Sequence, residues 1–145
     1  MGIINDGNAY PRFGRRFDED GTVWLWAKAT GGATLNTPYM MYIEEDSYIA
    51  KPLASNVHRY VVGVPDATHA SGVSDWFQIG GYIAALISVS LSVAVGHGIR
   101  VASGALADAG SDYSGITGDF AVCTTASTGS TTQACILVPE VITAT

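Results

Sequence analysis

Apolar and polar residues alternate with a period of two along most of the chain, and this period predicts β-strands joined by tight turns. In the run TVWLWAKA, Trp24 and Trp26 fall on one face, with Val23, Leu25 and Ala27 on the other. Tyr39 to Ile43 is a second strand, and Tyr48-Ile49 opens a third that Pro52 stops. Arg59 to Val64 (RYVVGV) is a fourth, turned by Pro65-Asp66, and Trp76 to Ile79 is a fifth. Near the end, Phe120 to Thr124 and Gln133 to Val138 frame the loop TASTGSTT as a hairpin.

The most apolar stretch, Phe77 to Val101, carries one ionised side chain, Arg100. Leu91, Val93 and Val95 alternate with Ser92 and Ala94, the pattern of a strand with one wet face. Tyr82 to Ile87 is nearly continuous apolar and reads as a strand covered on both faces. Gly80-Gly81 and Gly96-His97-Gly98 bracket the run, and Ile, Val and Ser dominate it, so a buried strand pair is expected rather than a helix. From Tyr82 to Val95 the run is short of the ~20 apolar residues that a membrane-spanning helix needs, and no membrane association is expected.

Laying the chain on itself with a shift of 58 residues aligns the patterns without a gap. Trp24, Leu25 and Ala27 then meet Tyr82, Ile83 and Ala85; Met41 meets Ile99; Val64 meets Val122; Phe77 meets Cys135. Half-repeats 23–80 and 81–138 packed on one core would give an all-β sandwich or partly closed barrel. Residues 1–22 lack either period. Together these predict an extended amino-terminal arm, residues 1–22, and a single all-β domain, residues 23–145.

Composition sharpens the picture in two ways. With 48% hydrophobic and only 14% charged residues, the chain is expected to hide surface in an oligomer or on a larger assembly. The net charge of −6 argues against nucleic acid as a partner, because phosphate binding requires a basic face. The amino terminus has no apolar core of signal-peptide length, so nothing is expected to direct the chain out by the general secretory route.

Catalytic chemistry finds no footing. His58, His69 and His97 are scattered, without metal-ligand spacing, and Glu44-Glu45-Asp46 lacks the alternation of a calcium loop. Asp66, His69 and Ser71 are residues that a β-turn collects, not a triad. No enzyme activity and no cofactor are expected. Cys123 and Cys135 are equidistant from Gly129, so a hairpin symmetric about that glycine places them opposite each other. A disulfide and a pair of small core-facing thiols both fit that placement.

The arm is the most suggestive polar feature. Arg12, Arg15 and Arg16 with Tyr10 and Phe13 make a basic-aromatic patch on an acidic chain, of the residue types enriched where protein surfaces meet. With the exposed aromatic strand of Trp24 and Trp26, they are the expected partner-binding residues. Trp24, Trp26, Trp76 and Tyr82 also offer the alternative of a stacking platform for sugar rings.

The stretch DGTVWLWAKATGGATLNTPYMMYI resembles the opening of small accessory head proteins of tailed bacteriophages. The segment RYVVGVPDATHASGVSDWFQIGGYIAALISVSLSVAVGHGIRV is similar to their β-rich decoration modules. The resemblance covers roughly residues 20 to 138 and rests on turn-and-strand phrases. It implies a β-sandwich or β-tulip-like capsid decoration (cement) protein, commonly a homotrimer, that binds the major capsid protein on the outer surface of the virion. A tail, fibre or surface-filament subunit is the structural alternative.

Overall fold

In a computed structural model, the structure describes residues 14–44, 47–55, 58–110, 119–138 and 142–143. The described residues form eleven strands and no helix: β1 (Arg15–Phe17), β2 (Val23–Ala29), β3 (Tyr39–Glu44), β4 (Ser47–Pro52), β5 (His58–Pro65), β6 (Ser74–Val93), β7 (Gly98–Ala102), β8 (Ala105–Gly110), β9 (Asp119–Cys123), β10 (Ser127–Leu137) and β11 (Ile142–Thr143). The all-β fold expected from the period of two is what forms.

Five strands close on themselves in the order β2-β4-β3-β5-β6, with β6 pairing back to β2. Every pairing in this barrel is antiparallel except β2–β4. The inward residues are Leu25, Ala27 and Ala29 of β2, Tyr39 and Met41 of β3, Ala50 of β4, Val61 of β5, and Phe77 and Ile79 of β6. A five-stranded barrel is narrow, so alanines on β2 and β4 make room for the bulk of Tyr39, Met41 and Phe77. Gly63 serves the same end. A Cβ there would overlap Met41 Sδ and lie 3.0 Å from Phe77 Cβ.

The second core lies outside the barrel wall. Met40 of β3 and Tyr60, Val62 and Val64 of β5 face outward and meet the inner side of a second sheet, β6-β10-β9-β7-β8. That sheet contributes Ile83, Leu86, Leu91, Val93, Ile99, Val101, Phe120, Cys123, Cys135 and Leu137. Strand β5 is therefore apolar on both faces, as β3 is from Tyr39 to Met41, which accounts for the unbroken run from Tyr60 to Val62. The expectation for Tyr82 to Ile87 is corrected here. Tyr82 is 57% exposed and Ala84 is exposed as well, while Ile83 and Leu86 turn inward. Alanines at 84 and 85 made a one-sided strand look two-sided.

The expected break at Gly80-Gly81 is also corrected: β6 runs unbroken for 20 residues and belongs to both sheets. A bulge falls where the glycines begin, since Val23 pairs with Gly80 but Trp24 with Gln78, leaving Ile79 as the extra residue. Gln78, buried, donates from Nε2 to Gly80 O (3.1 Å) and Tyr82 O (2.9 Å), satisfying carbonyls that the bulge frees. At Gly81, with φ +90°, the strand passes from one sheet to the other.

The registers of the two sheets correspond under the 58-residue shift. Met41↔Ala50, Tyr42↔Ile49 and Ile43↔Tyr48 map onto the observed pairs Ile99↔Asp108, Arg100↔Ala107 and Val101↔Leu106. Leu25↔Phe77 maps onto Ile83↔Cys135, and Pro65↔Phe77 onto Cys123↔Cys135. The halves also differ. Met41 pairs with Val61, whereas Ile99 pairs with Ala121, two residues off the shifted position. The parallel β2–β4 ladder that closes the barrel has no counterpart between β6 and β8 among the described residues.

Candidate functional site: the leading strand and the aromatic face

Strand β1 pairs antiparallel with β2, setting Arg15 opposite Leu25, Arg16 opposite Trp24 and Phe17 opposite Val23. Trp26 N donates to Gly14 O at 2.9 Å, so residues 14–17 lie along the chain's own barrel. The turn between the strands is fastened by Asp18 N to Thr22 O (3.0 Å) and Gly21 N to Asp18 O (3.1 Å). Asp20 Oδ1 accepts from both Thr22 Oγ1 (2.6 Å) and Thr22 N (3.0 Å). The hydroxyl bond first, and then the amide bond, hold the Asp20 carboxyl below its usual range. Thr22 Oγ1 in turn accepts from Trp24 Nε1 at 2.9 Å, which fixes the indole.

On the outer face of β2, Arg16 lies with its guanidinium carbon 4.6 Å from the Trp24 ring centre and 5.1 Å from that of Trp76. Asp18 completes the arrangement, with an ion pair of 3.0 Å to Arg16 Nε. Trp26 meets Trp76 edge to face at 5.2 Å. Of the predicted partner-binding residues, Arg16, Trp24 and Trp26 thus come together, but around one another. Arg15 is exposed on the opposite side of β1, where Phe17 stands 71% exposed. Tyr10, Arg12 and Phe13 lie outside the described residues.

Arg16 also decides the sugar-platform alternative. Its guanidinium occupies ring faces of Trp24 and Trp76 that a sugar would need, and both indoles are buried. Replacing Arg16 by alanine is expected to destabilise the fold by roughly 1–2 kcal/mol, the scale of two partly desolvated cation–π contacts with a shielded ion pair. Chemical denaturation followed by tryptophan fluorescence measures it. Arg16→Lys should recover only part of the loss, because an ammonium cannot stack in plane against two rings.

Sequence reasoning missed a second apolar surface. On the outer face of the second sheet, Tyr82 of β6 pairs with Ile136 of β10, which pairs with Val122 of β9. Tyr82 is 57% and Ile136 45% exposed. The alternation of QACILV carried this signal, since Cys135 and Leu137 on one side leave Ile136 on the other.

Several other polar groups that the sequence singled out have local partners. His69 Nε2 pairs with Asp75 Oδ2 (3.3 Å), and Ser71 Oγ donates to Thr30 O (2.7 Å), so the DATHAS run holds a turn together. His97 Nδ1 lies 3.0 Å from Asp108 Oδ1 across the turn into β7. Glu44 accepts from Lys51 Nζ at 3.0 Å. Among the described residues no group of three His, Cys, Asp or Glu side chains is placed to hold a metal ion. No helix among them is long and apolar enough to cross a membrane.

No protein-family model and no curated protein matches this chain. A solved structure does: the head fiber gp8.5 N base of bacteriophage phi29. The TM-score is 0.55 at 11% sequence identity, over 83% of this chain and 98% of that one. The two share a fold, and nearly all of the phage domain takes part in it.

Proposed function

We propose that this chain is a structural protein of a bacteriophage virion that decorates and stabilises an icosahedral capsid by binding the major capsid protein. The observation that carries this reading is the fold shared with the phage head fiber base across 98% of that domain. The sequence resemblance to decoration modules points the same way and adds the trimer and the outer capsid surface as its expected setting. An acidic β protein with exposed Phe17, Tyr82 and Ile136 is suited to such attachment. Many copies on a symmetric shell gain from multivalency, and binding the assembled shell better than its parts stabilises it by mass action.

The attachment surface comprises Tyr10, Arg12 and Phe13 together with Arg15 and Phe17, the exposed side of β1. Arg16, Trp24 and Trp26 hold that strand in place from beneath. Cosedimentation with shells that lack the protein tests the assignment. A chain beginning at Gly14 keeps β1 and its stack, and should fold normally yet bind at least tenfold more weakly. The same loss is expected for the double substitution Arg15→Glu and Phe17→Glu. Undiminished binding by both variants refutes the surface.

The shared fold equally supports a subunit at the base of a head fibre. In that case the purified protein should carry or cap an elongated partner rather than coat the shell.

A further inference from the structure

We infer that Cys123 and Cys135 are built to form a cross-strand disulfide that staples β9 to β10 once the protein meets an oxidising environment. The two residues are direct partners in the antiparallel ladder. Which kind of partner follows from the neighbouring hydrogen bonds. Thr124 N donates to Ala134 O (3.1 Å), and Val138 N donates to Phe120 O (2.7 Å). Both of these are hydrogen-bonded pairs in the same register. Because bonded and non-bonded pairs alternate, Val122 with Ile136 is bonded, and Cys123 with Cys135 is non-bonded. Cα atoms in a non-bonded pair approach to about 4.5 Å, inside the range of about 4.4–6.8 Å that a disulfide accepts.

Both side chains leave the sheet on the same face, inward. They are free thiols, 2% and 0% exposed. The backbone of Cys123 is pinned from its other edge as well: Cys123 N donates to His97 O and Gly96 N donates to Cys123 O, each at 2.9 Å. The two Cβ positions are therefore held by ladders on either side, and bridging the sulfurs needs side-chain rotation rather than a shift of strands. At the equivalent position of the barrel, 58 residues earlier, Pro65 faces Phe77, a pair that only packs.

The chemistry requires an oxidant, and a small-molecule disulfide such as oxidised glutathione supplies it. One cysteine thiolate attacks a glutathione sulfur, releasing reduced glutathione and leaving a mixed disulfide. The second thiolate then displaces the remaining glutathione. In all, two protein thiols lose two protons and two electrons, and one oxidised glutathione becomes two thiols. Burial pushes the Cys123 thiol to about 11 and the Cys135 thiol to about 12, with the Asp108 carboxylate adding to the first and Cys123 to the second. Thiolate is scarce in the closed hairpin, so the bond forms while β9 and β10 are open and is slow to form once they have shut.

The test is refolding of the full chain in a buffer of oxidised and reduced glutathione at mildly alkaline pH, beside a reduced control. The expected product is a monomer lighter by about 2 Da, with no thiol left to label in denaturant. It should melt roughly 6–12 °C above the reduced form and lose that margin on adding a reductant, as a closed loop of this length implies. Cys123→Ser and Cys135→Ser should instead each keep one free thiol that labels only in denaturant, and gain no melting temperature. The inference is overturned if both thiols stay free, if only mixed or intermolecular disulfides form, or if the bridged form melts no higher than the reduced one. A single variant that shows the same rise would overturn it too.

Discussion

Replacing Gly81 by alanine is expected to cost about 3 kcal/mol or more, enough to remove a large part of the stability of an ordinary domain. Two independent penalties act at this residue. Its φ of +90° lies where side chains are strained, and a Cβ would stand 2.9 Å from Gly21 O and 3.0 Å from Thr22 Cα. Those are backbone atoms of a turn already fastened by Asp18, Asp20 and Thr22, so they cannot step aside cheaply. Gly72 separates the two penalties. It has φ +84° with nothing within 4 Å, so Gly72→Ala should lose only about 1 kcal/mol, the conformational part alone. Urea midpoints at unchanged slope would measure both. Equal losses at the two positions would show that the contact with residues 21 and 22 carries no weight.

The second large effect is expected in alkali. Burial raises Tyr60 from 10.0 to about 12, Cys123 from 9.0 to about 11 and Cys135 from 9.0 to about 12. Tyr60 lies in the core with its hydroxyl unpartnered among the described residues, so its phenolate would be especially costly to bury. Below pH 9 the folded and the reduced unfolded chain both keep these protons, and stability is level. Above it only the unfolded chain releases them, so rising pH favours unfolding until the folded groups titrate as well, near pH 12. Each pH unit between the folded and unfolded pKa of a group is worth about 1.4 kcal/mol, and the three together amount to several kcal/mol. Denaturation midpoints from pH 8 to 11.5 should fall steeply. In Tyr60→Phe with both cysteines replaced by serine, the profile should flatten, and an unchanged slope would mean that other groups govern it.

The strands most legible in the sequence were those whose alternation is spelled in large residues. In β2, the tryptophans and Leu25 declare opposite faces, and RYVVGV declares its burial by the absence of any polar interruption after Arg59. Cys123 and Cys135 were placed opposite each other from their spacing about Gly129, and the ladder pairs them. Strand β8 was not legible. ALADAG has no β-branched or aromatic residue, and its extension comes from pairing with β7. Nor was the continuity of β6, because two successive glycines spell a turn as readily as a bulge. The parallel β2–β4 pairing joins strands that are not neighbours in sequence, and no local pattern encodes it.

The arginines show how a site can be half legible. A basic-aromatic patch was apparent, but Trp76, the second ring on Arg16, lies 60 residues downstream in β6. Residue types alone could not tell an arginine offered to a partner from one engaged at home. The alternation in β1 could. Arg16 shares its face with the tryptophans, which leaves Arg15 and Phe17 on the other face of β1, exposed to solvent.

Because β6 threads both sheets as one continuous strand, the two sheets are joined through an unbroken backbone rather than a loop. A pull on the barrel is handed directly to the second sheet along a taut covalent backbone, against rows of cross-strand bonds loaded sideways all at once. Such an element behaves as a tie rod, stiff along its length.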